Sequence, residues 1–193
     1  SKRTTRRPAA KRGRRHPLAT VALVAIGLLG TGGVYALATS SATAETTIQA
    51  QAQVEDGGKL FAANGATCHG MALQGSADGP SLIGVGAASV DFQVGTGRMP
   101  MAQSGPQAEQ KPVQFTPEQI SALAAYVDSV GGGPSIPTEE VLASGDDLAA
   151  GGELFRINCA MCHNVAGAGG ALTEGKFAPP LTGVDSVHIW EAM

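Results

Sequence analysis

Two cysteines with two residues between them and a histidine directly after, Cys159-Ala160-Met161-Cys162-His163, place two thiols and an imidazole on about one turn of chain. That grouping suits covalent attachment of a c-type haem, which needs two thioether bonds to the porphyrin edge and a nitrogen ligand for the iron. Gly65-Ala66-Thr67-Cys68-His69 repeats the pattern 94 residues earlier, with glycine where the first cysteine would stand. A glycine forms no thioether, so the first haem hangs from Cys68 alone unless Gly65 is a substitution. His69 and His163 become the proximal iron ligands, each expected to donate its other ring N–H to a backbone carbonyl. Pro80 offers that carbonyl at the first site, and Pro179 or Pro180 at the second. Competing uses of the motif fare worse. Zinc wants four ligands, where the first copy has only Cys68 and His69. A thioredoxin-like pair belongs beside a βαβ pattern, and no strand pattern is visible.

The sixth iron ligand decides between electron transfer and chemistry at the metal, because a thioether saturates the iron and raises its potential while an open position admits oxygen or peroxide. Gly97-Arg98-Met99-Pro100-Met101 supplies two methionines, thirty and thirty-two residues after His69. Met99 is the expected ligand, since the following proline holds it extended and off a helix; Met101 is the alternative. A methionine more often fills a core, but two in a Gly- and Pro-rich loop fit that role poorly. Pairing Phe92 with Ile189 puts the counterpart in the second copy near position 196, past Met193. Met193 and His188 are the nearest substitutes, and both read as ordinary surface or core residues.

The elements that position these groups follow from an internal repeat. Residues 57–69 fall on 151–163 with both glycines, the Leu-Phe pair, the asparagine and the final Cys-His matching. Pro80-Ser81-Leu82-Ile83-Gly84-Val85 resembles Pro180-Leu181-Thr182-Gly183-Val184 with one residue deleted. Each copy should begin with a helix carrying Leu60 and Phe61, or Leu154 and Phe155. Thr116-Pro117-Glu118-Gln119 announces a second helix in the first copy, with Thr116 as N-cap and Pro117 at the first helical position. Ile120, Leu123, Ala124 and Val127 continue it at helical spacing, and Gly131-Gly132-Gly133-Pro134 should end it. A Gly-rich, weakly periodic loop separates the two helices and suits a chain wrapped round a cofactor. The aromatic content of 4% is poor material for a large core, and a haem in each domain would supply the apolar volume.

Eight of the 13 basic residues precede residue 16, and from Ala44 onward 16 acids meet five bases, a formal charge of about −11. Residues 18–39 carry no charge, and at about 1.5 Å per residue this stretch is long enough for a bilayer core. A basic segment on one side directs the N-terminus to the cytoplasm and the rest outside. Ala42-Thr43-Ala44 also fits a signal-peptidase site, but the apolar stretch exceeds an ordinary signal core and is read as a retained anchor. Three cysteines make no disulfide framework, and haem attachment uses all of them. The expected organisation is a basic segment at 1–17, a transmembrane helix at 18–39, a tether at 40–54, a first domain at 55–130, a linker at 131–145, and an incomplete second domain at 146–193. The fold class is all-α, with two tandem class I cytochrome c-like domains after the N-terminal membrane helix.

The basic anchor, the tandem haem modules and the segments GPSLIGVG, GTGRMP and GGELFRINCAMCH together resemble the dihaem cytochrome c subunit of the actinobacterial menaquinol-cytochrome c reductase, the cytochrome bcc complex. The resemblance covers nearly the whole chain and is more specific than any one motif. It implies two haems c, one on Cys68, His69 and Met99, the other on Cys159, Cys162 and His163. It also implies partnership with cytochrome b and the Rieske iron-sulfur protein, which donates electrons. The acceptor it implies is the copper centre in subunit II of an aa3-type oxidase. On this reading the chain serves a translocating oxidoreductase with no substrate-converting residues of its own, works at the cell membrane, and has no nucleic-acid partner. Gly65 departs from the family pattern, as does the missing end of the second module with its C-terminal membrane helix. A dihaem enzyme such as a peroxidase, with one open iron, is the competing class. A freely floating donor steered by its acidic surface is a third.

Overall fold

The computed structural model describes residues 17–143, 145 and 147–193; the basic segment before residue 17 lies outside the described residues. The chain divides into two compact units, one up to Ile48 and one from Gln49 to Met193. In the first, residues Pro17–Ala36 form helix with exposed apolar side chains, long and apolar enough to cross a membrane by length and composition.

Helix α1 spans Pro17–Asn64 without a break. The 40–54 stretch, expected as a flexible tether, is therefore helical. Small polar residues suggest a linker by composition, but Ala and Gln are good helix formers and no Gly or Pro interrupts residues 34–56. After α1 come α2 (Ala66–His69), α3 (Gly86–Gly95), α4 (Pro117–Gly131), α5 (Glu139–Ala143), α6 (Leu148–Asn158), α7 (Ala160–His163) and α8 (Ser186–Glu191). Strands β1 (Gly170–Ala171) and β2 (Phe177–Ala178) pair antiparallel around the turn at Thr173–Gly175. This hairpin is the one exception to an otherwise helical fold among the described residues.

Helix α4 starts and stops where the sequence says it should. Thr116 accepts from the Gln119 amide at 3.3 Å while the Gln119 side chain accepts from the Thr116 amide at 2.9 Å, a reciprocal capping box. Gly132, at φ 63°, closes the helix with its amide on the Asp128 carbonyl at 2.8 Å. Helix α3, by contrast, lies in the stretch expected as loop. Its buried face is Gly86, Ala88, Val90 and Val94, and such small side chains leave little amphipathic contrast to read. Helix α5 likewise falls inside the expected linker.

The core of the second unit gathers Phe61 from α1, Leu73 from the following loop, Val90 and Val94 from α3, and Ile120, Leu123, Ala124 and Val127 from α4. Close approach of α1 to α4 depends on Gly57, because a Cβ there would run into the Ala122 carbonyl. Residues 146–193 contribute little to this core. Leu154, Ile157, Met161 and Val165, all flanking the second Cys-His motif, remain 61–90% exposed.

Candidate functional site

The two motifs adopt one backbone geometry. Gly65 and Cys159 sit at φ/ψ of −115°/−32° and −113°/−36°, each as the cap of a four-residue helix. The His69 amide donates to the Gly65 carbonyl and the His163 amide to the Cys159 carbonyl, both at 2.9 Å. Behind them, the Asn64 and Asn158 side chains each donate to the carbonyl four residues back, Leu60 or Leu154, at 2.9 Å. These asparagines hold the last turn of the preceding helix square to the motif.

Both histidines find a carbonyl. His69 Nδ1 lies 2.8 Å from the Pro80 oxygen and His163 Nδ1 lies 2.9 Å from the Pro179 oxygen. A carbonyl only accepts, so Nδ1 carries the proton and Nε2 keeps its lone pair for a metal. Each acceptor is itself fixed by a repeated loop. Gly75 donates to the His69 carbonyl and Gly169 to that of His163, at 2.7 and 2.8 Å. Leu82 donates to Leu73 at 2.8 Å and Leu181 to Gly167 at 2.7 Å.

This pattern corrects the alignment read from sequence. Pro80, Leu82, Gly84 and Val85 correspond to Pro179, Leu181, Gly183 and Val184, an offset of 99 with nothing deleted. The five additional residues lie between Gly169 and Pro179 and form the β1–β2 hairpin. On that register Phe92 pairs with Glu191 rather than Ile189, and the counterpart of Met99 moves to 198. Of the substitutes, Met193 is 88% exposed and His188 packs edge-on to Phe92 at 6.2 Å between centroids.

The thiols of Cys68 and Cys159 are half-buried, Cys162 is exposed, and all three are free of disulfides. At Gly65 the backbone is ready for a cysteine but its neighbour is not, because a Cβ would stand 2.7 Å from the Phe61 ring. Met99 is half-buried against the core cluster, with its amide on the Gln93 carbonyl at 2.8 Å. Its loop is braced from both sides. The Arg98 guanidinium lies 4.7 Å over the Phe92 ring and donates to Thr96 Oγ1 at 2.6 Å, and Lys111 Nζ donates to the Pro100 carbonyl at 2.6 Å. Burial holds the Arg98 guanidinium below its usual pKa. Met101 is half-buried further along the same loop.

The donor chemistry fits a c-type haem. Each histidine presents a free Nε2, cysteine sulfur stands one residue before it, and exposed apolar side chains beside the motif offer a surface for a flat macrocycle. When bound, a haem would supply a reversible one-electron iron couple. Sequence reasoning missed Gln107, whose amide pairs with both backbone groups of Phe177 at 2.9 Å. It also missed a meeting of α3 with α8 at Asp91, His188 and Glu191. The His-x-x-Glu spacing in α8 was the available signal for the latter.

Comparison with known proteins agrees with this geometry. The cytochrome c family matches residues 54–131, and the family described as cytochrome c oxidase, cbb3-type, subunit III matches residues 146–191. A cytochrome bc1 complex cytochrome c subunit from Corynebacterium diphtheriae is 41% identical over 201 residues, covering 95% of this chain and 72% of the relative. Proteins of the same description from Mycobacterium tuberculosis and Mycobacterium leprae are 44% and 43% identical, each over 89% of this chain. The chain spans 64% and 62% of their lengths.

Proposed function

Since the chain belongs to the family of cytochrome bc1 complex cytochrome c subunits, and so is an electron-transfer cytochrome that binds haem c, we propose that it carries two haems and relays electrons between two partner proteins. The observation that supports two is the duplicated histidine site, with the same caps, the same asparagine brace and the same proline carbonyl in each copy. Cys68 would attach the first haem, with His69 and Met99 as axial ligands and Met101 as the alternative. Cys159 and Cys162 would attach the second, with His163 as its proximal ligand.

The residues of the chain do the positioning. Pro80 and Pro179 hold the imidazole rings, and the braced 96–100 loop carries Met99, whose thioether would serve as the second ligand of the first haem iron. Rigid ligands on both sides keep reorganisation small when the charge changes, as a relay requires. The electron donor is the Rieske iron-sulfur protein, in a complex with cytochrome b, and the acceptor is the copper centre in subunit II of an aa3-type oxidase. The apolar helix at residues 18–39 anchors the chain in the cell membrane, with the haem modules outside the cytoplasm.

Mass spectrometry of the haem-bearing peptides tests the core of this reading. One haem mass on the Cys68 peptide and one on the Cys159/Cys162 peptide is the expected result. A bare Cys68 peptide would reduce covalent attachment to one site. Rapid carbon monoxide binding to the first ferrous haem would instead move the protein toward the peroxidase-like class.

A further inference from the structure

Helix α8 of the second module is the counterpart of α3 in the first by the 99-residue offset, and the two helices touch. At their contact stand Asp91 on α3 and His188 and Glu191 on α8, each offering one ligand atom, all within 4.8 Å of one another. His188 and Glu191 are three residues apart, so they share one face of the helix. The haem chemistry uses none of the three.

Glu191 is the unusual member. It is only 9% exposed, and among the described residues neither carboxylate oxygen has a hydrogen-bond partner. A buried carboxylate without partners costs several kcal/mol on the order of a lost charge-solvation shell, and proteins relieve that by protonation, pairing or a metal. Burial first, then the charge of the Asp91 carboxylate and the hydrogen bond the two carboxyls make once they share a proton, then the charge of Asp185, push the Glu191 carboxyl up to about 7. Among the described residues, no lysine or arginine stabilises its charged form against that cost. The groups facing it from both helices are two acids and an imidazole.

We propose that Asp91, His188 and Glu191 form a divalent transition-metal site, of the class filled by zinc, that clasps the two haem modules together. Two carboxylates and one imidazole are all ligand types that zinc takes, and the two carboxylate charges balance the ion. Ligand atoms around a tetrahedral zinc lie about 3.4 Å apart when bonds are about 2.0–2.1 Å. Small side-chain rotations across α3 and α8 supply the closure. A water completes the fourth position. The ion satisfies both orphaned Glu191 oxygens, one directly and the other through that water.

The test is equilibrium dialysis of the haem-loaded full chain in detergent, stripped with chelator and returned to buffered zinc, with metal counted by mass spectrometry. Haem absorption is read on the same samples, so failure of the metal site and failure of haem loading are separate results. We expect one zinc per chain, with affinity lowered at least about tenfold in each of Asp91→Asn, His188→Gln and Glu191→Gln. Haem spectra of the variants should match the parent. Should a variant fold poorly, hydrogen exchange of the parent with and without zinc decides the matter: zinc should slow the amides of α8 and α3 together. No retained zinc, or retention in all three variants equal to that of the parent, or zinc without effect on those amides, would overturn the proposal.

Discussion

As the proposed iron ligands, His69 and His163 depend on two proline carbonyls, because a proton fixed on Nδ1 is what leaves Nε2 bare. The first site offers two thioethers on one braced loop, Met99 and Met101. Met99→Ala should open that iron, so that ferrous protein binds carbon monoxide within mixing time in a stopped-flow trace, whereas Met101→Ala should leave it closed. At the attachment edge, Gly65→Cys should add a second thioether to the first haem, seen as a thiol at position 65 that no longer takes an alkylating reagent and as a blue-shifted α band. The same change presses on the Phe61 ring, 2.7 Å from the new Cβ. It should therefore lower the stability of the first module by about 1–3 kcal/mol in denaturant unfolding. The pairing of each histidine with a proline carbonyl was legible in sequence because CxxCH and the loop that follows it are local patterns. Glu191 was not, since an isolated glutamate says nothing until burial and a facing aspartate give it an environment.

Among the helices, α4 was readable and α3 was not, for a reason that lies in side-chain size. Thr116, Pro117 and Gln119 spell a capping box and Ile120, Leu123 and Val127 spell a stripe. The buried face of α3 starts with Gly86 and Ala88, which bury little area and so leave little signal. The crossing of α1 over α4 rests on Gly57, and its counterpart Gly151 has no neighbouring atom within 4 Å of a built Cβ. Gly57→Val should therefore destabilise the first module by about 1–3 kcal/mol, while Gly151→Val should cost far less. Thermal unfolding followed by circular dichroism would compare the two. Equal losses would show that the glycine pair serves the haem and not the helix crossing.

Across the whole molecule, the second module's hairpin returns to the first through Gln107, which satisfies the Phe177 N–H and C=O as a neighbouring strand would. Gln107→Ala removes two hydrogen bonds of about 1 kcal/mol each. Hydrogen exchange at Phe177 should quicken roughly 5–30-fold, with the haem spectra unchanged. By itself the sequence determined the haem motifs, their duplication, the apolar N-terminal helix and the proline carbonyl of the first site. All of these depend on residues near one another in the chain or on a repeat that can be aligned by eye. The tertiary structure decided the register of the second loop, the helical course of residues 40–54, and the meetings of Gln107 with Phe177 and of Asp91 with His188 and Glu191. Those contacts join residues 70 to 100 positions apart, where only packing of one element on another can say which side chains face each other.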